Sequence, residues 1–228
     1  MRTSVFLAGL VALVSLMATA SFSAPSTIGP TGIVNVPTAV AVTPGGFEML
    51  LAYDRSEVGD VGINVLPIAT LGYGFAHGEI GLSYFNVQDY TAVTGANAKY
   101  IFPDDSEKTP IIAAGVIYLG GNTAETDVYL VASDRLFPSD QYATTIGLLY
   151  QLPNSGSSGS NLTAMAGVEF GAPGKTTVGL DFILNDIAAG CMLGATIRQP
   201  ITRNISLQVG MGTANRSFYG LTMKFGGK

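Results

Sequence analysis

The sequence has 228 residues and a formal net charge of −5, with 47% hydrophobic and only 12% charged residues. Soluble domains carry roughly 25% charged residues, so this chain is short of solvating surface, and its length suits a single domain. The acidic balance argues against nucleic acid as a partner, because no basic stripe is present to neutralise phosphates.

The N-terminus has the pattern of a signal peptide. Arg2 supplies the positive charge, residues 5–14 form an apolar run, and Ala18-Thr19-Ala20 fits the small-x-small cleavage pattern. We predict cleavage after Ala20, with Ala24 as the second choice and an uncleaved anchor as the alternative. The predicted organisation is a signal peptide at residues 1–20, an extended segment at residues 21–45 and a β-barrel at residues 46–228.

An exported chain with one cysteine has no internal disulfide, so packing and backbone hydrogen bonds must hold the fold. This cysteine, Cys191, belongs to an apolar alternating series, and we interpret it as an apolar side chain rather than a reactive thiol. Past the signal peptide no apolar run reaches about 18 residues, so the sequence predicts no helical membrane span.

Alternation with a period of two runs through most of the mature chain. Near its start, Phe47 and Met49 alternate with Glu48, so that one strand face is apolar and the other is mixed. Regular strands are predicted at residues 47–54, 80–84, 96–102, 178–184, 205–211 and 219–225. Less regular strands are predicted at residues 65–75, 111–119, 127–134, 142–152, 162–170 and 191–198. Together they number about twelve, and single-chain bacterial barrels require an even count.

The predicted fold is all-β, a transmembrane antiparallel up-and-down barrel in the outer membrane of a Gram-negative cell. If the mature chain enters a membrane, it must do so as a closed barrel, because only a closed barrel leaves no strand edge unsatisfied in lipid. The alternative is a soluble periplasmic β-sandwich, a binding or structural module whose apolar face forms its core. The low charge content favours the barrel, since solvent-facing strands usually carry charge.

The predicted connections alternate along the chain between two kinds. Compact turn signals are found at residues 76–78, 103–105, 138–140, 173–174 and 200–202. Looser connections are predicted at residues 56–62, 88–91, 120–126, 154–161, 185–189 and 214–216. With a periplasmic N-terminus, the compact set would lie on the periplasmic side and the looser, longer set outside, which is the usual asymmetry of these barrels.

The start of the mature chain resembles a known family. Residues 29–39 read Gly-Pro-Thr-Gly-Ile-Val-Asn-Val-Pro-Thr-Ala, and Thr-Pro-Gly-Gly follows at residues 43–46. This segment resembles the N-terminal signature of the YjbH-like outer-membrane β-barrel family, and residues 74–82 are similar to a strand start of these barrels. The resemblance implies an outer-membrane location and a part in surface polysaccharide or envelope function. It supplies no catalytic residues.

Three prolines, Pro30, Pro37 and Pro44, keep residues 28–45 out of a regular helix or a central strand. We therefore predict that this segment lies inside or across the barrel mouth as a fixed, extended plug. A disordered leader is the alternative.

The C-terminal strand carries a second mark of an outer-membrane barrel. Leu221, Met223 and Phe225 alternate toward an aromatic end, which resembles the strand that the barrel-insertion machinery recognises, although Gly226-Gly227-Lys228 follows it. The predicted partners are therefore outer-membrane lipid and the insertion machinery, with a polysaccharide or a small solute as the transported partner.

The sequence predicts no enzyme, no cofactor and no metal site. The only histidine, His77, lies in a predicted turn, and one His with one Cys cannot form a metal cluster. The carboxylate pairs Asp104-Asp105 and Glu125 with Asp127 lie at predicted turns, and we interpret them as solvated loop charge.

The polar strand face is the predicted place of function. Eight side chains are predicted to line the lumen, namely Glu48, Asp54, Lys99, Glu169, Asp181, Arg198, Gln208 and Lys224. Opposite charges there either pair to close the barrel or set the selectivity of a narrow solute pathway. The predicted function is accordingly an envelope structural component or a narrow solute channel.

Overall fold

The computed structural model describes most of the mature chain. The described residues are 26, 29–33, 35–58, 61–87, 92–103, 110–121, 124–134, 142–152, 161–171, 175–185, 190–213 and 215–227. The predicted signal peptide and its cleavage site lie outside these residues. Within them there is no helix long and apolar enough to cross a membrane.

Twelve β-strands make up the fold. They are β1 (Gly46–Val58), β2 (Val61–Phe75), β3 (Gly78–Val87), β4 (Val93–Ile101), β5 (Ile111–Gly120), β6 (Glu125–Asp134), β7 (Tyr142–Leu152), β8 (Asn161–Phe170), β9 (Thr177–Asn185), β10 (Gly190–Pro200), β11 (Ile205–Gly212) and β12 (Arg216–Gly226). Most have about the nine to eleven residues that a tilted strand needs to cross a bilayer.

The strands close into one antiparallel barrel in which each strand pairs with its neighbours in sequence. β12 completes the ring by pairing with β1, for example Phe225 with Phe47 and Tyr219 with Tyr53. The predicted all-β barrel of twelve strands is therefore confirmed. The alternative of a soluble sandwich is wrong, because the described strands form one closed ring rather than two packed sheets.

Successive side chains of each strand point alternately to the inside and to the outside of the barrel. In β6, Asp127, Tyr129 and Val131 are buried, whereas the alternate residues Val128 and Leu130 are exposed. The same alternation repeats around the ring, so that large apolar side chains cover the outside. Such a surface suits lipid rather than water.

Aromatic side chains gather near both ends of the outward face. Phe47 and Tyr73 pack with ring centroids 4.8 Å apart near the end where β1 begins, which we call the near end. Tyr53 and Tyr219 pair at 6.4 Å toward the opposite, far end. Two aromatic zones that flank an apolar band are typical of barrels at the two membrane interfaces.

β1 and β2 form the longest hairpin, and only two residues connect them. The sequence predicts a loop at residues 56–62, but pairing continues to Val58 and Val61 because backbone hydrogen bonds extend past the apolar alternation. Pro67 lies inside β2, where the register shifts between Val65 and Ile68. A bulge tolerates proline because the ladder hydrogen bond is already lost there.

The connections do not sort by length as the sequence predicts. The five near-end connections have between two and nine residues, and the six far-end connections have between two and eight. The expectation was wrong because strand pairing extends into several segments that looked like loops. Connection length therefore does not tell which end faces outward.

Candidate functional site

The inner segment, described at residues 29–33 and 35–45, lies within the ring of strands. It folds back on itself in a narrow turn, in which Ile33 N donates to Val36 O at 3.0 Å and Thr38 N donates to Thr31 O at 3.0 Å. It reaches the wall of β2 where Gly45 N donates to Gly74 O at 2.9 Å. Its other partners are inward-facing side chains, which locates the segment in the lumen.

The first anchor of the inner segment is an ion pair between Lys99 and Glu79 on adjacent strands. Lys99 Nζ lies 3.2 Å from Glu79 Oε1, and both side chains are fully buried. Lys99 Nζ also donates to Val40 O at 2.6 Å and to Thr38 O at 3.0 Å. Thr31 N in turn donates to Glu79 Oε1 at 2.7 Å. The pair thus binds the backbone of the segment from both of its arms.

The second anchor lies at the tip of the turn, with Asp181 on the opposite wall in β9 and Arg216 and Asp54 on β12 and β1. Asp181 Oδ2 accepts from Asn35 N at 2.6 Å and from Val36 N at 3.4 Å. Arg216 Nη1 donates to Asn35 Oδ1 at 2.5 Å and its guanidinium forms an ion pair with Asp54. A carboxylate that accepts two successive backbone N–H groups holds a turn in one orientation.

The third anchor comes from β10 and β11. Arg198 Nη2 donates to Gly32 O at 3.5 Å and Gln208 Nε2 donates to Ile33 O at 3.4 Å. Arg198 also lies 3.5 Å from Glu169 Oε1. These contacts are longer than those at Lys99, so this wall holds the segment less tightly.

Apolar contacts complete the seat of the inner segment. Val36 and Ala39 are fully buried in a cluster on the β5, β6 and β8 wall with Ala113, Ile117, Tyr129, Val131 and Met165. Ile33 lies against Gly167 and Gly179, and a Cβ at Gly179 would lie 2.6 Å from Ile33 Cγ2. Glycine at these strand positions leaves the room that Ile33 occupies.

The wall around β1, β2 and β10 to β12 combines a buried apolar cluster of Leu50, Ala52, Ile68 and Phe218 with polar side chains that are incompletely hydrogen-bonded. Lys224 Nζ lies 3.3 Å from Glu48 Oε1, and Lys224 is only partly buried. In the part of the chain that the structure describes, the side-chain oxygens of Thr70, Thr222 and Gln208 Oε1 are buried without a hydrogen-bond partner. Buried groups of this kind are normally satisfied by water.

All eight residues predicted to line the lumen lie on the inward face, seven of them buried and Lys224 partly buried. The structure brings six of them into ion pairs or contact with the inner segment, and it pairs Glu48 with Lys224. It separates them among three anchors rather than one site.

Sequence reasoning missed Glu79 and Arg216 and misinterpreted Asp127. Glu79 shares the parity of Gly81 and Ser83, so alternation alone would have identified it as inward-facing. The sequence pattern predicts Arg216 in a connection, but it is the first residue of β12. The sequence pattern predicts Asp127 to be a solvated loop charge, but it lies in β6 with 8% of its surface exposed. Among the described residues, no group of three or more His, Cys, Asp or Glu side chains could hold a metal ion.

The barrel is similar to several solved outer-membrane barrels. The KdgM porin matches with a TM-score of 0.63 and 10% identity over 79% of this chain and 99% of its own. KdgM has also been solved in complex with disordered oligogalacturonate. The NanC porin matches with a TM-score of 0.58 and 9% identity over 79% of this chain and 99% of its own. The COG4313 outer membrane channel from Pseudomonas putida F1 matches with a TM-score of 0.57 and 15% identity over 81% of this chain and 97% of its own.

The chain has the fold of an outer-membrane porin barrel. The matched proteins are porins or channels, and the fold together with the apolar outer face supports an outer-membrane location. No protein-family profile and no curated protein matches the sequence. The YjbH-like resemblance of residues 29–39 therefore stays a prediction.

Proposed function

We propose that this chain is an outer-membrane channel for small solutes whose lumen is closed by its own inner segment. The supporting observation is the way the segment is held. Buried charged side chains from opposite walls bind its backbone, while apolar side chains fill the space between. A segment that only passed by the mouth would not need fixed partners deep in the ring.

Closure follows from the burial of inward-facing polar and charged side chains. Lys99, Glu48 and Gln208 are each 1% exposed, although they face the interior of a barrel. The lining of an open pore would be in contact with water. Solute can therefore pass only when the inner segment withdraws, at least in part, and the proposed resting state is closed.

The remaining partners belong to the same proposal. Outer-membrane lipid covers the outer face, the insertion machinery binds the C-terminal strand, and the signal peptide is removed near Ala20. A saccharide is one candidate solute, since the similar KdgM porin has been solved with oligogalacturonate. Membership of the YjbH-like family would add a role in surface polysaccharide, and it is proposed on the resemblance of residues 29–39 alone.

The first test combines membrane location with conductance. We expect the chain, expressed with its native signal, to fractionate with the outer membrane and to change its gel mobility on boiling. The double substitution Ile33→Ala/Val36→Ala removes apolar contacts of the inner segment, and we call it the unseated variant. In planar bilayers it should conduct far more often than the wild type. Truncating a buried Ile costs about 2–5 kcal/mol, and each 1.4 kcal/mol changes an equilibrium about tenfold.

The matched control is Thr43→Ala, at an exposed position of the same segment, which should conduct like the wild type. A soluble periplasmic protein without a mobility shift would contradict the barrel. A heat-modifiable barrel whose unseated variant carries no current would contradict the channel and leave the envelope structural role.

A further inference from the structure

The inward face of the barrel carries more carboxylates than cations. Among the described strand residues four cations face inward, and each lies in an ion pair: Lys99 with Glu79, Arg198 with Glu169, Arg216 with Asp54 and Lys224 with Glu48. Three further inward-facing carboxylates are Glu125, Asp127 and Asp181. The described lumen wall therefore has a formal excess of three negative charges.

Two of these additional carboxylates lie together at the far end. Glu125 is the first residue of β6, and Asp127 follows two positions later on the same face. Asp127 is 8% exposed, and its Oδ1 has no hydrogen-bond partner among the residues that the structure describes. A buried carboxylate oxygen without a partner is costly unless water or a cation reaches it.

The connections at the two ends differ in charge. The six far-end connections contain Asp60, Asp89 and Asp186, and their sequences include no Lys, Arg or His. The near-end connections contain acidic residues too, together with the cations Lys108, Arg135, Lys175 and Arg203. The far-end connections are therefore acidic in sequence, and Glu125 and Asp127 face inward at the same end of the barrel, where the inward cation Arg216 is paired with Asp54.

We propose that the far end of the barrel is an acidic vestibule that selects cationic and neutral solutes over anionic ones. This inference deepens the proposed channel function and rests on it for transport. Rings of carboxylates favour cations because they raise the local cation concentration and repel anions. An acidic oligosaccharide such as oligogalacturonate is then a poor solute for this barrel, despite the similarity of its fold to KdgM.

The vestibule can be tested without any current. In a Cys191→Ser background, Gln151→Cys provides a thiol on the inward face opposite Asp127 in the β6–β7 register. We expect a cationic methanethiosulfonate to label this thiol faster than an anionic one, after correction for their rates with a free thiol. Glu125→Gln/Asp127→Asn should reduce that preference roughly two- to fivefold. The control Asp134→Asn changes an exposed carboxylate of the same strand and should leave it unchanged.

Ion selectivity tests the same proposal during transport. With the unseated variant Ile33→Ala/Val36→Ala in a potassium chloride gradient, the reversal potential should show potassium passing more readily than chloride. Adding Glu125→Gln/Asp127→Asn should move it toward zero. Equal labelling by the two reagents, or preference for chloride, would overturn the acidic vestibule. Absence of current with charge-selective labelling intact would instead overturn the channel and support the vestibule.

Discussion

At the scale of single residues, Lys99 bears the largest share of the contact between wall and inner segment. Its ammonium group lies among Glu79 and the backbone oxygens of Thr31, Thr38 and Val40. Breaking a buried ion pair by removing one partner costs about 3–5 kcal/mol, because it leaves the other charge buried and alone. The seat of the segment should therefore depend on this one side chain.

We expect Lys99→Met to release the inner segment. The measurement is the labelling rate of a thiol at Ala39, fully buried in the native protein, in a Cys191→Ser background. The expected cost corresponds to an increase of roughly a hundredfold or more, at about 1.4 kcal/mol per tenfold. Glu79→Gln/Lys99→Met should label more slowly than Lys99→Met alone, since no buried charge is left uncompensated.

Lys175→Met is the matched control, because it removes an exposed lysine outside the strands. Labelling of Cys at position 39 that is equally slow in the wild-type and Lys99→Met backgrounds would show that Lys99 does not hold the segment.

The sequence pattern predicts well which side chains face inward, but it does not predict which residues those side chains bind. Alternation identifies Asp54, Asp181 and Arg198 as inward, because parity along a strand is a local property. It does not show that Asp181 binds the backbone of Asn35, since the two lie 146 residues apart in sequence. That contact depends on the register of the whole ring and on where the inner segment turns.

At the scale of single strands, the outer face must match the depth of the bilayer. In β7, Ile146 and Leu148 are 65% and 48% exposed near the middle of the strand, and Leu152 is 39% exposed at its far end. Exposure of this size in mid-strand is tolerable only in lipid, so the cost of a charge there should vary with depth.

We expect Leu148→Arg to lower the free energy of folding in lipid vesicles by about 2–4 kcal/mol, and Leu152→Arg by about 1 kcal/mol or less. Urea titration of the vesicle-bound protein measures both. The pair is matched in strand, in face and in substitution, so it differs only in depth. Equal effects of the two substitutions would argue against a bilayer around this barrel.

The positions of the strands could be predicted from the sequence, because period-two alternation is a local property. The residues at which the strands begin and end could not be predicted in this way. β1 and β2 continue to Val58 and Val61 through residues without an apolar alternation. Pairing there requires only backbone hydrogen bonds, which no side-chain pattern reports. The same reasoning explains the misassigned ends at Glu125 and Arg216, whose charges resemble those of loops although both begin strands.

At the scale of the whole molecule, both ends of the barrel chain lie at the near end. β1 begins and β12 ends there, and the inner segment turns into β1 through Gly45 and Gly46. Because the number of antiparallel strands is even, the first strand must begin and the last strand must end at the same end of the barrel. This arrangement allows the residues that precede β1 to enter the lumen from the near end without crossing the wall, so the segment can withdraw by the same route while the ring stays intact.

A disulfide between the inner segment and the barrel wall should prevent this withdrawal, so that the current depends on whether the disulfide is oxidised or reduced. The variant is built in a Cys191→Ser background, and Val36→Ala weakens the packing of the inner segment. Ile33→Cys and Gly179→Cys then allow a disulfide between the inner segment and β9. The two positions are close, because a Cβ at Gly179 would lie 2.6 Å from Ile33 Cγ2. We expect the oxidised protein to carry no current in planar bilayers and reduction to restore it. The control variant carries the same substitutions except that it keeps Gly179, so it cannot form the disulfide. It should conduct under both oxidising and reducing conditions. Undiminished current through the crosslinked barrel would mean that solute passes beside the bound inner segment, past the polar side chains of Thr70, Gln208 and Thr222 on β2, β11 and β12, and that withdrawal is not required.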